Sequence, residues 1–395
     1  MEITREKLLV QKVFPVVNNS DLLEFRIPAY EKGQLDLENV LLHFTTSVPV
    51  NDEIVPQNFF GSKQFSSVEI RINGEAITRR SCANEYFLGS YFKNLCNYQR
   101  DYLITAMKPA GIFDYFNKTT EVLKTLSEVE KAEFKESRQL YSSENHLEIM
   151  MAIDASIFGS RDLLPSRTPL DISFERAGSE FSSILLREEE GFSATPNTLS
   201  DVYLLVPFVR DENTFQLERN AIAKSLKIHY DDYAIRRINI PKGSTKARLD
   251  NVITGALPSK MFWGIQSIDS YGGSFNASST RFNMHDLIKA NLYVDGQEVS
   301  EFPVTMSNKN ITQPYMKFLN NTDKYNNGYL GSVMGMNEFA DDNFILSASF
   351  NSDTSGAITF EFDFSKAINS DLVLVICIFK DHTLKIDHNR NFQLL

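Results

Sequence analysis

Six histidines are the first residues to test for chemistry: His43, His146, His229, His285, His382 and His388. No two stand at His-x-His spacing, which would put two imidazoles on one face of a strand, so a metal centre built that way is not expected. His382, Asp387 and His388 crowd together near the C-terminus and could offer three ligands. A working site also needs convergent geometry and supporting hydrogen bonds, and polar residues flanking a strand are the plainer reading. The chain contains no Gly-x-Ser-x-Gly, no Walker loop and no His-Glu-x-x-His. Gly272-Gly273-Ser274 lacks the lysine and helix start of a phosphate loop and reads as a turn. Glu188 to Glu190 lacks the alternating oxygen-ligand spacing of a calcium loop and reads as a solvated linker. Cys82, Cys96 and Cys377 form neither a disulfide framework nor a metal pattern. No catalytic, cofactor-binding or metal-ligating residues are expected, no cofactor is implied, and an enzyme is not predicted.

The elements that would have to position any site are mostly strands. Leu257 to Val304 organises the pattern: an apolar run (Met261 to Ile268), a glycine-rich bend (Tyr271 to Ser274), and a second run (Leu287 to Val294). That second run turns at Asp295-Gly296 and returns through Gln297 to Phe302. Asp-Gly or Asn-Gly between apolar runs predicts a tight hairpin, because both central residues need positive φ. Val68 to Ile72, Asn73-Gly74 and Glu75 to Thr78 repeat the device in the first half. Each hairpin is followed by residues at helical spacing, Asn84 to Asn97 and Gln313 to Leu319. The repetition points to an internal duplication.

Further strands are expected at Leu22–Ile27, Val40–Val48, His146–Ile153, Leu170–Phe174 and Phe181–Leu186. In the second half they fall at 202–209, 226–230, 235–240, 344–350, 358–362 and 372–379. The last is apolar on both faces and so should be a central strand. The basic cluster Arg236, Arg237, Lys242, Lys246 and Arg248 reads as a charged strand edge. Thr119 to Tyr141 is the most helical stretch. It carries capping-box spacing at Ser127 and Glu130, and its charge predicts a surface insertion.

The chain has 395 residues, enough for two sizeable cores. Its net charge of −11 argues against a surface dedicated to nucleic acid, which needs clustered cations. The N-terminus lacks the apolar stretch of a signal peptide, so secretion is not expected, and no apolar run is long enough for a membrane span. The economical fold class is all-β: two tandem jelly-roll β-sandwich domains (a double jelly roll) with short helical insertions. The charge run and Gly-Ser-Pro cluster at 187–197 predict a boundary between residues 1–192 and 193–395.

In order and spacing, several motifs resemble the double jelly-roll major capsid proteins of Polinton (Maverick) elements and their adintovirus-like relatives. They are Leu23 to Pro28 with Asp36-Leu37, Phe65 to Gly74, Gly255 to Lys260, Tyr293 to Gln297, Asp363 to Ala367 and Ile386 to Arg390. The resemblance runs nearly end to end. It implies a homotrimer of pseudo-hexagonal outline that contacts neighbouring capsomers and tiles an icosahedral shell, so that the chain is located in the virion. It further implies a single jelly-roll penton protein as partner, and a packaging ATPase and a cysteine protease at assembly. Residues 119–141 and 310–327 would then be candidate tower or inter-subunit segments. The alternative is a tandem jelly-roll module that binds carbohydrate or protein.

Overall fold

The computed structural model describes residues 6–47, 54–78, 84–113, 123, 125–137, 146–186, 195–210, 226–306, 310–325, 331–332, 334–351, 354–387 and 392–394. Residues 187–194 of the expected linker at 187–197, and His388, lie outside them.

In chain order the first strands are β1 (Glu6–Val13), β2 (Val17–Asn18), β3 (Leu22–Ile27), β4 (Gln34–Leu35), β5 (Leu41–Ser47) and β6 (Ile54–Pro56). Then come β7 (Phe65–Ile72), β8 (Glu75–Ala76), β9 (His146–Ala152), β10 (Leu170–Arg176), β11 (Ser183–Leu185) and β12 (Leu199–Arg210). Next are β13 (Leu226–Ile240), β14 (Lys246–Ala256), β15 (Lys260–Ser267), β16 (Leu287–Val294) and β17 (Gln297–Glu298). The last are β18 (Val304–Thr305), β19 (Leu346–Ser349), β20 (Ser355–Phe364), β21 (Leu372–Ile386) and β22 (Phe392–Leu394). Among the described residues the α-helices are α1 (Glu85–Asn97), α2 (Arg100–Thr105), α3 (Glu128–Ser137), α4 (Ser179–Ser182), α5 (Ile268–Gly272), α6 (Thr312–Asn321) and α7 (Met336–Asp341).

The strands form two sandwiches with the same plan. One sheet of the first runs β1-β12-β5-β9 and its partner β2-β3-β10-β7-β8. The second has β13-β21-β15-β19 facing β14-β20-β16-β17. In both, the opening strand pairs with the closing strand, which pairs with the third long strand. All the pairs are antiparallel, and this is jelly-roll order. Alternation decides which face is inside: in β3, Leu23, Phe25 and Ile27 are buried while Arg26 is exposed. β21 lies between β13 and β15, and Leu372 to Ile378 are all buried, as the doubly apolar run requires.

Both hairpins form. Arg71 pairs with Ala76 around Asn73 (φ 52°) and Gly74 (φ 83°), and Tyr293 pairs with Glu298 around Asp295 (φ 51°) and Gly296 (φ 77°). Positive φ at both central positions is the geometry whose twist matches the strands it joins. The capping box forms too: the Ser127 amide donates to Glu130 Oε2 (2.8 Å), and the Glu130 amide donates to Ser127 Oγ (3.3 Å). α3 sets Phe134 in a small separate core with Val55, Leu123, Ile184 and Leu186, above the β6–β11 pair. The flanks of the expected 119–141 helix fall outside the described residues.

Three expectations change. Phe181 lies in α4, not at the start of a strand. Residues 226–230 and 235–240 belong to one fifteen-residue strand, β13, paired with β21 from Leu226↔Ile386 to Ile240↔Leu372. The polar Asp231-Asp232 between them continues the ladder, because its side chains lie where the ribbon passes from one sandwich to the other. Finally, β12 lies after residue 192, yet it hydrogen-bonds to β1 and β5 of the first sandwich.

Candidate functional site: the joint between the halves

Among the described residues the histidines do not converge. His43 is 2% exposed and stacks on Tyr203, with Nδ1 2.9 Å from the Asp201 carbonyl and Nε2 3.0 Å from Glu148 Oε1. His146 opens β9, and His229 contacts Thr383 Oγ1 (2.9 Å) across β13 and β21. His382 lies 3.7 Å from Asp232. Among the described residues, no group of three or more His, Cys, Asp or Glu is placed to hold a metal. Burial pushes the Cys96 thiol up to about 12 and raises that of Cys377, so neither is a ready nucleophile.

His285 is half-buried at a left-handed position (φ 48°). Desolvation, with Arg281 nearby, lowers it from 6.5 to about 4, against weaker opposing pulls from Asp286 and the Ile265 carbonyl. Its folded value is below its unfolded one, so between about pH 4 and 6.5 the unfolded chain binds more protons, and stability rises with pH across that window. His285→Asn tolerates the left-handed backbone. It should remove about 1–2 kcal/mol of this acid sensitivity after allowing for solvent screening, measured by urea denaturation at both pH values. An unchanged slope would mean that His285 is not the group responsible.

Two crevices carry charge. One, of about 380 Å³, lies on the outer face of the β3-β10-β7 sheet among Glu24, Arg26, Glu69, Arg71, Asp171 and Glu175. Four of these groups are partnered: Arg71 Nε is 2.5 Å from Glu69, and Ser173 and Ser67 donate to Glu24 and Glu175. The other, of about 370 Å³, lies where the sandwiches meet, and Lys93, Asp231, Tyr233, Lys260, Asp323 and Asp381 are among its lining. Lys93 pairs with Asp154 (3.3 Å) and Lys260 with Asp323 (2.6 Å). Burial and the facing Asp381 raise the Asp231 carboxyl. The expected basic edge is likewise answered: β13 and β14 end their sheets, Lys246 lies 3.3 Å from Asp363 and Arg248 2.9 Å from Asp250. Arg236 donates to the Val252 carbonyl, and Arg237 lies over the Tyr271 ring.

The joint itself combines polar and apolar contacts from both halves. α1 comes from the first half, yet Phe87, Leu88, Tyr91, Phe92 and Leu95 are buried in the second core with β15 and β21. In the other direction, Ile228, Tyr230, Leu384 and Ile386 from the ends of β13 and β21 are buried in the first core. Gly89 lets α1 approach β13: a Cβ there would lie 1.8 Å from the Tyr233 ring. Tyr233 in turn donates to the Asp154 carbonyl (2.7 Å).

The bend read from sequence as a plain turn is part of this joint. α5 and the chain after it run along the first half. Asn84 Nδ2 donates to the Tyr271 carbonyl (3.0 Å), and the Leu185 amide donates to that of Phe275 (2.8 Å). Lys63, fully buried, donates to Gln57 Oε1 (2.8 Å) and Thr280 Oγ1 (3.2 Å) and reaches Ser278 Oγ at 3.5 Å. Lys324 Nζ donates to the carbonyls of Leu95 (2.8 Å) and Tyr98, closing the C-terminal end of α1. Burial pulls that amine down to about 8. Neither lysine was legible as a joint residue, since Lys in a polar run reads as solvated. The exception is the recurrence of small hydroxyl residues at 278–280, which could have hinted at a buried polar partner.

No protein-family model matches the chain, and no curated protein matches it. Solved structures do. A chain of the Sputnik virophage structure aligns with TM-score 0.66 at 12% identity, over 100% of this chain and 90% of that one. The mavirus major capsid protein aligns with TM-score 0.56 at 14% identity, over 98% and 90%. The Faustovirus major capsid protein aligns with TM-score 0.53 at 10% identity, over 95% and 90%. At these identities the likeness establishes the fold, a double jelly roll spanning the whole chain.

Proposed function

We propose that this double jelly roll is a major capsid protein, a structural subunit and not an enzyme, located in the virion. The observation that carries the reading is the duplication of one sheet plan within a chain that aligns end to end with viral capsid subunits. Two equivalent sandwiches per chain let three chains make a ring with six similar corners, the pseudo-hexagonal homotrimer that packs against neighbouring capsomers in an icosahedral shell. The motifs noted above favour a Polinton/Maverick-type element as its source and a single jelly-roll penton protein as its vertex partner. Nucleic-acid binding is not part of the proposal: the net charge is −11, and Lys246 and Arg248 of the basic edge are paired with Asp363 and Asp250. The division between the two sandwiches is proposed to lie between Arg210 and Leu226, after the closing strand of the first and before the opening strand of the second, rather than at 192/193.

Size-exclusion chromatography with light scattering, followed by negative-stain imaging, tests this. The expected species has three times the chain mass and a hexagonal outline, or is a closed particle. A folded monomer at every concentration would overturn the capsomer reading and favour a binding module.

A further inference from the structure

Among the described residues, two places in the joint hold a carboxyl group with no ion-pair partner. The first is Glu180 of α4, packed against the glycine-rich bend of the other half. A Cβ on Gly273 would lie 2.7 Å from Glu180 Cγ and 2.8 Å from Phe181 Cζ. Glu180 Oε2 is buried, and no described residue donates a hydrogen bond to it. A carboxylate so placed forfeits hydration without compensation, whereas the neutral acid loses much less. The cations nearby are engaged elsewhere: Lys63, on the turn that packs on α4, with Gln57 and Thr280, and Arg176 with the Asn197 carbonyl. α5 brings Asp269, a further acid, and no cation. Burial accordingly raises the Glu180 carboxyl, with only its own backbone amide pulling the other way.

The second place is the crossing of the β13–β21 ribbon, where Asp231 stands directly opposite Asp381. On one side of this point the ribbon buries Ile228 and Leu384 in the first core, and on the other Ile235 and Ile376 in the second. Like charges directly opposite on a ladder repel. The two side chains are hydrogen-bonded to each other, which two carboxylates cannot be, so one proton lies between them. Both are exposed to the crevice at the joint, so that proton exchanges with solvent. The facing cations are paired already, Lys93 with Asp154 and Lys260 with Asp323. Lys380 and His382 share the opposite face of the ribbon with Asp232, and Asp162 accepts from the His229 amide. Cys96 and Tyr233, which also line the crevice, are raised by burial and stay neutral.

We propose that the joint is locked by protons: the two sandwiches hold together most firmly in acid, when Glu180 is neutral and Asp231 and Asp381 share one proton, and the seam loosens as the pH rises and charge appears at both places. The device lies within one chain and does not depend on the capsomer reading. For Glu180 and Asp231 the folded value lies above the unfolded one. Over the interval from the ordinary carboxyl range upward the folded chain therefore binds more protons, and stability falls as the pH rises. His285 acts in the opposite sense, so the lock is read as a difference between chains that all retain it.

The test compares the full wild-type chain with Glu180→Gln, Asp231→Asn and the double variant. An amide imitates the protonated acid but does not ionise. Hydrogen exchange, corrected for its intrinsic pH dependence, is followed from about pH 4 to pH 8 in α4 and around residues 231 and 381. In the wild type these amides are expected to lose protection, relative to β14 and β20, by about threefold or more as the pH rises. Each single variant should lose part of that dependence and the double variant nearly all of it. A wild type whose protection follows pH no differently from the double variant would overturn the lock. So would failure of both single variants to fold, because the lock requires that a neutral group serve at either place.

Discussion

Lys63→Ala is expected to cost about 3–5 kcal/mol of stability, the combined effect of a cavity and of buried acceptors left without a donor. The side chain is fully buried and crosses the joint, from Gln57 in the first half to Ser278 and Thr280 in the second. Lys63→Met separates the two contributions. It nearly conserves volume but donates nothing, so it should cost about 1–3 kcal/mol, the penalty for the orphaned oxygens alone. Denaturant unfolding followed by far-UV circular dichroism and by Trp263, the single tryptophan, which is buried in the second core, measures both. A neutral or stabilising Lys63→Met would show that an apolar filling serves as well and that the hydrogen bonds do not hold the joint.

Gly89→Ala should be nearly as damaging, at about 2–4 kcal/mol, through overpacking. The new Cβ would sit 1.8 Å from Tyr233 Cε2 and 2.3 Å from Cζ, so the ring must move. Moving it breaks the 2.7 Å bond from its hydroxyl to the Asp154 carbonyl, and Asp154 also receives Ser90 and Asn94 from α1. A smaller residue at 233 should make room. Gly89→Ala combined with Tyr233→Leu is expected to be less harmful than the sum of the singles by about 1 kcal/mol or more, as for neighbours sharing one space. Additivity, or a Gly89→Ala chain within about 0.5 kcal/mol of wild type, would mean that the helix does not depend on this close approach. Where the variants fold, a shifted α1 also changes how one sandwich meets the other, so the yield of the proposed trimer should fall with stability.

Local chemistry made much of this molecule readable in advance. Asn73-Gly74 and Asp295-Gly296 fixed their hairpins because few other residue pairs adopt consecutive positive φ. Ser127 and Glu130 marked a helix start because each satisfies the other's free amide. The alternation in β3 and the unbroken apolar run of β21 followed from how many faces each strand buries. Even the doubling of the fold could be seen, since equivalent devices recur at equivalent places.

What could not be read is whatever depends on neighbours distant in sequence. Asp231-Asp232 divides β13 on the page, yet the strand continues because one edge is paired along its whole length by β21, and backbone pairing is indifferent to side-chain polarity. β12 looked like the opening of a second domain. Only its ladder with β1 and β5 assigns it to the first, and a ladder partner nearly two hundred residues away leaves no local trace. Lys63 and Lys324 carry the most soluble of side chains and become buried because acceptors from the other half surround them. Composition, turn geometry and periodicity determined two jelly rolls; the tertiary structure alone decided how they lock together, because that outcome is set by contacts between residues whose separation in sequence carries no pattern.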